Sequence, residues 1–151
     1  MKTQWWLLMM GSFAMPAFAC EELTVTDAWA RLAPPSASVM AGYLTLANSG
    51  TDAVTVRGGS STDFQSVELH NMTHENGVMQ MRKLEAIEVA SGGEVALAPG
   101  GKHLMLIGPK RAFAAGDRIE IVLEVCDGQQ QIVTLPVREA APAADGEHGQ
   151  H

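Results

Sequence analysis

Basic side chains are scarce in this sequence: Lys and Arg total 10 against 17 Asp and Glu, a formal net charge of −7. Nucleic-acid binders replace phosphate counterions with Lys and Arg, so the shortage disfavours that class. It argues equally against docking on anionic lipid. No segment carries a sustained helical period, which leaves a helical bundle without support. No G-x-S-x-G nucleophile motif occurs, and no clustered carboxylates stand ready as an acid–base pair, so an enzyme is disfavoured too. Cysteine is limited to two residues, Cys20 and Cys126. Methionine, by contrast, is abundant, with nine in 151 residues. That length suits one domain with a real core.

Residues 1–19 have the organisation of a secretory signal peptide. Lys2 supplies the positive start, Trp5 to Met15 is apolar apart from Gly11 and Ser12, and Pro16 breaks the run. Ala17-Phe18-Ala19 then fits a small-x-small cleavage site. The stretch is too short to span a bilayer comfortably, and no integral membrane segment is expected once it is removed. Cleavage after Ala19 puts Cys20 at the new N-terminus, open to acylation or to a disulfide with Cys126. Ala17 and Phe18 are poor lipobox residues, and two cysteines in an exported chain usually pair, which favours the disulfide.

From Leu23 onward, short runs rich in Val, Ile, Leu and Thr alternate with Gly, Pro, Asn and Asp. Strands are expected near 23–30, 38–47, 52–58, 64–74, 78–85, 93–98, 102–107, 117–126 and 130–137. Strands this short and this frequent predict one all-β domain over residues 20–138, an antiparallel sandwich or barrel. Residues 139–151 hold Ala, Pro, Gly and acidic residues with no large apolar side chain, the composition of a disordered tail. The tail contains His148 and His151.

Asn76-Gly77 is the strongest local signal. Between extended segments it predicts a two-residue type I′ hairpin turn. The register follows: Glu75 faces Val78, His74 faces Met79, Met72 faces Met81, and His70 faces Lys83. Opposed residues share a side of the sheet and alternate residues repeat it. One face therefore carries His70, Met72, His74, Met79 and Met81, while Val67 and Leu69 point to the core. On a second strand His103 and Met105 lie two residues apart on one face, about 6.5–7 Å along the backbone. The turns on either side of that segment place the pair near the edge of the sandwich.

Thioether sulfur is soft and neutral, and imidazole is borderline; together they suit Cu(I). Zinc prefers thiolate, imidazole and carboxylate. Calcium and magnesium require oxygen donors. Outside the cytoplasm thioethers also resist the oxidation that would join two thiolates.

The spacing His70, ten residues, Met81, twenty-one residues, His103-x-Met105 resembles the signature of the periplasmic copper chaperones called PCu(A)C. Flanking segments are similar as well: Asp27-Ala28-Trp29-Ala30-Arg31, Pro34-Pro35, Ala41-Gly42-Tyr43-Leu44, Glu68-Leu69-His70, Asn76-Gly77-Val78-Met79 and Pro99-Gly100-Gly101. The resemblance spans Leu23 to Val137. It implies a cupredoxin-like β-sandwich in the periplasm that binds one Cu(I) through His70, Met81, His103 and Met105. It further implies delivery to the copper centre of a respiratory oxidase, often alongside a Sco-type thiol protein. On the hairpin face, Met72, Met79 and His74 sit close enough to substitute for a ligand or to line the site beside it, lining being the commoner role for such residues, and nothing places Met40 near it. Some members of that family carry His- or Met-rich extensions, which implies weak Cu(II) binding at His148 and His151 beside Asp145 and Glu147.

Two rivals remain at this stage. A blue-copper electron carrier needs a thiolate, two histidines and a weak axial Met, and Cys126 has no neighbouring His or Met. A protein-interaction module on the same sandwich needs no metal at all.

Overall fold

The structure, a computed structural model, describes Cys20 and residues 22–139. The expected leader over 1–19, and the tail beyond Glu139 with His148 and His151, lie outside the described residues. Those described form ten strands: β1 Leu23–Arg31, β2 Val39–Asn48, β3 Val54–Ser60, β4 Phe64–Glu75, β5 Val78–Leu84, β6 Ile87–Val89, β7 Glu94–Leu97, β8 Lys102–Pro109, β9 Arg118–Val125 and β10 Gln129–Arg138. Among the described residues no helix is long and apolar enough to cross a membrane.

Alternation explains the strands. In β9, Ile119, Ile121, Leu123 and Val125 are buried while Arg118, Glu120 and Glu124 are exposed. Each inward aliphatic side chain stabilises the fold by about 1.5–3 kcal/mol through removal from water. In β4, Phe64, Val67 and Leu69 take the core side. They meet Leu104 and Leu106 of β8 together with Leu44 and Leu46 of β2.

The strand path runs β5-β4-β8-β2-β1-β10-β9-β3-β6, with β7 beside β2, and a β3–β4 pairing brings it back on itself. This is the cupredoxin-like β-sandwich that the sequence leads one to expect. At the return, the register between β3 and β9 shifts between Val56 and Gly59. A Cβ on Gly59 would overlap the Val122 carbonyl oxygen, and one on Gly58 would fall 2.7 Å from the Val67 carbonyl oxygen. Only glycine permits so close a backbone approach.

Three details differ from the sequence expectation. The short β6 has no counterpart among the expected strands. One pairing is parallel, Ala30 with Val137 and Arg31 with Arg138 between β1 and β10. A parallel pair needs a long crossover, and here the eight intervening strands supply it. Finally, β8 is flanked by β4 and β2 and continues through Pro109. His103 and Met105 therefore lie on an interior strand, whereas β5, on the other side of β4, is an edge strand.

Cys20 and Cys126 are joined as a disulfide, with Cα atoms 6.2 Å apart and 106 residues between them in sequence. A loop of that length constrains the unfolded chain by about 4–5 kcal/mol in the entropy model. The bond fastens the segment before β1 to the β9–β10 turn. It also removes the thiolate that a blue-copper arrangement requires.

Candidate metal centre

The β4–β5 hairpin has the register that Asn76-Gly77 predicts. Asn76 and Gly77 adopt φ of 52° and 78°, the left-handed pair of a type I′ turn. Glu75 pairs with Val78, His74 with Met79, Met72 with Met81 and His70 with Lys83. On its other edge β4 pairs with β8, setting His70 directly across from His103 and Glu68 across from Met105. Pairing and alternation thus put Glu68, His70, Met72, Met81, Lys83, His103 and Met105 on one side of three adjacent strands.

A cavity of about 290 Å³ opens on that side, lined by Met72, Met81, His103 and Met105 with Val39, Ala41, Tyr43 and Gly100. His70 stands beside it, its ring centroid 6.0 Å from that of His103. His103 is only 6% exposed, whereas Met81, on the edge strand, is 45% exposed. The centre is therefore walled by protein at its imidazole end and open to solvent at one thioether. His74 and Met79 share the face but lie exposed towards the hairpin tip, outside the cavity lining. Met40 does border the cavity, contrary to expectation, because β2 runs beside β8. Its partner Leu106 faces the core, and Met40 is buried there with it.

Hydrogen bonds orient both rings. The His70 Nε2 lies 2.9 Å from Glu68 Oε2. A carboxylate only accepts, so Nε2 carries the proton and donates it. Lys83 Nζ donates to the other Glu68 oxygen at 3.0 Å. The bond from His70, then that from Lys83, holds the Glu68 carboxyl below its ordinary value. The His103 Nδ1 donates to the Gly101 carbonyl oxygen at 3.0 Å, and that oxygen also accepts the Met72 amide at 3.1 Å. One carbonyl thus joins the turn before β8 to β4. Tyr43 packs on Trp29 with ring centroids 4.7 Å apart. Burial pushes its phenol up, opposed by the nearby Arg31 charge, so it remains neutral beside the cavity.

The donor set fits a soft ion. The His70 Nδ1 is buried and has no hydrogen-bond partner. Such an atom costs about 1–3 kcal/mol unless something outside the protein satisfies it. Among the described residues no group of three or more His, Cys, Asp or Glu is set to hold a metal, which leaves the usual zinc arrangement unformed. Two imidazoles with thioethers match Cu(I).

Sequence reasoning did not give a role to Glu68, Lys83, Gly101 or Tyr43. The signal for two of them was present: Glu68 precedes His70 by two residues, and the hairpin register sets Lys83 opposite His70.

Fold and donors together define a cupredoxin-like domain with a soft-donor cavity on one sheet face. Residues 23–137 match the family described as putative lipoprotein LpqE-like. The chain belongs to that LpqE-like family. A putative lipoprotein of Leifsonia xyli subsp. xyli is 29% identical over 135 residues, covering 89% of this chain and 80% of that protein. Among solved structures, CuI-DR1885 from Deinococcus radiodurans is 29% identical with a TM-score of 0.61, over 80% of this chain and 82% of that one. The copper-bound PCuAC domain from PmoF2 shares the fold, with a TM-score of 0.66 at 21% identity over 79% of this chain and 94% of that one.

Proposed function

We propose that this protein is an exported copper chaperone of PCu(A)C type that holds one Cu(I) through His70, Met81, His103 and Met105. The observation that carries this reading is the direct pairing of His70 with His103 across β4 and β8, with Met105 and Met81 on the same side. A buried, unpartnered His70 nitrogen and a thioether-lined cavity support it. So does the likeness to a structure described as a Cu(I) form. The lipoprotein descriptions of the family and of the Leifsonia relative support export, and the 1–19 segment would be the signal that is removed, with the periplasm as destination. The copper domain would then comprise residues 20–138.

Four neutral ligands hold Cu(I) without bound water and without net negative charge to trap it. Met81 is the ligand that reaches solvent, so an incoming Cys or Met sulfur can add there as the Met81 Sδ leaves. Transfer then passes through a shared-ligand state and never through free ion. The role is binding and delivery, not catalysis. The recipient we propose is the copper-accepting subunit of a respiratory oxidase, with a Sco-type thiol protein in the same route. Beyond Glu139, His148 and His151 would offer a weak Cu(II) site.

Competition titration with a Cu(I) chelator tests the reading. Wild-type protein is expected to bind one equivalent, and alanine at each of the four positions to weaken binding. Undiminished affinity in Met81→Ala and Met105→Ala together would overturn it.

A further inference from the structure

We infer that Glu68 is a positioning residue that makes His70 bind copper through Nδ1 while His103 binds through Nε2. This rests on the proposal that copper is held between those two imidazoles.

A neutral imidazole has one N–H and one lone pair, and a donated N–H decides which nitrogen is left to coordinate. His70 donates Nε2–H to Glu68 Oε2 at 2.9 Å. Its lone pair is then on Nδ1, the atom that is buried and without a partner. His103 is set the other way round: Nδ1–H goes to the Gly101 carbonyl, leaving Nε2 free. Two opposite tautomers therefore face each other across one strand pair, each fixed by an acceptor that cannot donate.

Glu68 is itself held. Its second oxygen accepts from Lys83, which sits across from His70 on β5, and Glu68 sits across from Met105 on β8. The carboxylate stands on the copper-binding side, yet both its oxygens are engaged. That arrangement keeps a hard oxygen donor out of a soft site and turns the carboxylate towards the far side of the His70 ring. A carboxylate on the non-coordinating nitrogen also raises the basicity of the coordinating one, and loss of such a partner costs about 10–100-fold in metal affinity.

The test uses two-bond proton–nitrogen correlation spectra of isotope-labelled full-length protein at about pH 8, above the ordinary imidazole pKa. Without copper, His70 is expected in the Nε2–H form and His103 in the Nδ1–H form. Added Cu(I) should shift His70 Nδ1 and His103 Nε2. In Glu68→Leu the fixed His70 tautomer should be lost and Cu(I) affinity should fall about 10–100-fold. Glu68→Gln keeps an acceptor oxygen and should retain the tautomer with a smaller loss. Coordination through His70 Nε2, or an unchanged tautomer and affinity in folded Glu68→Leu, would overturn the inference while leaving copper binding intact. Failure of the wild type to bind Cu(I) would instead overturn the copper reading, and the copper-free spectra would still report whether Glu68 sets the His70 tautomer.

Discussion

Met72 lies directly opposite Met81 on the β4–β5 hairpin, and both line the cavity that His103 and Met105 share. The half-buried Met72 is thus a thioether held in reserve next to the exposed one. Met81→Ala is expected to weaken Cu(I) binding by about tenfold or more, equivalent to about 1.4 kcal/mol. Met72→Ala alone should cost less. The double variant should lose more than the two single losses combined, because Met72 can stand in for Met81 only while it is present. Chelator competition on the four proteins of this cycle measures the coupling, and strict additivity would show that Met72 lines the cavity without reaching the ion.

Protons compete with copper for the two rings. Cu(I) affinity should fall on acidification, because His70 and His103 must each be neutral to bind. The steepest dependence is up to a hundredfold per pH unit, about tenfold for each protonated ligand. Chelator competition at a series of pH values reads this directly. A flat profile from mildly acidic to neutral pH would remove the imidazoles from the ligand set.

Glu68 adds a separate dependence on the protein's own stability. Its folded carboxyl is held below the ordinary 4.5 by His70 and Lys83. The unfolded chain therefore binds the proton more readily. The contribution is complete above that ordinary value and disappears as pH falls through the lowered one. The Glu68 side chain keeps 26% of its exposure and that of Lys83 keeps 55%, so solvent screens the pair and the effect is small. Copper-free Glu68→Gln should show a shallower loss of denaturation midpoint than wild type on acidification below about pH 4.5.

The site was legible in the sequence to the extent that it depends on β geometry. Asn76-Gly77 admits one favoured turn, and the whole β4–β5 register follows from it. Alternation then carries His70, Met72 and Met81 to one side. The side-by-side placement of β4 and β8 is a different matter. It is a non-local pairing that no dipeptide announces, and only the structure sets His70 across from His103. The interior position of β8 was missed for the same reason: flanking turns mark where a strand ends, not which strands lie beside it. The strand β6 is too short for an alternating pattern to stand out. The β1–β10 parallel contact joins elements more than a hundred residues apart, where local signals say nothing.

The disulfide should carry stability without touching copper chemistry. Reduction, or Cys126→Ser, releases the constraint on a chain segment of over a hundred residues. A loss of about 4–5 kcal/mol corresponds to a melting temperature lower by about 10–20 °C. Below that lowered melting temperature, Cu(I) stoichiometry of the Cys20→Ser/Cys126→Ser protein, which carries no thiol to take up copper of its own, should remain one, since neither position belongs to the cavity lining. Calorimetry and titration on the same sample check both halves. A reduced protein that melts as wild type would show that the core alone restrains the ends.

Among the described residues, Asn48 is the buried polar residue whose contacts lie outside the copper site, 2% exposed at the end of β2. Its side chain is fully employed. Nδ2 donates to the Asp52 carbonyl at 2.7 Å and to the Val89 carbonyl at 3.0 Å, while Oδ1 accepts the Gly50 amide at 2.9 Å. One amide group thus closes the β2–β3 turn and fastens β6 to it. Asn48→Leu has similar bulk but takes these bonds from two carbonyls and an N–H, those at Val89 and Gly50 in buried surroundings. At about 1–3 kcal/mol for each unsatisfied group, and with partial relaxation towards water, a total loss of about 2–4 kcal/mol is expected. Asn48→Asp can still accept from Gly50 but turns an acceptor towards two carbonyls, so it should be at least as harmful. Chemical denaturation of the copper-free proteins provides the measurement. If Asn48→Leu proves as stable as wild type, the turn is held by its backbone bonds, Asn48 N–H to Gly93 O and Ser49 N–H to Glu22 O, and the side chain is dispensable.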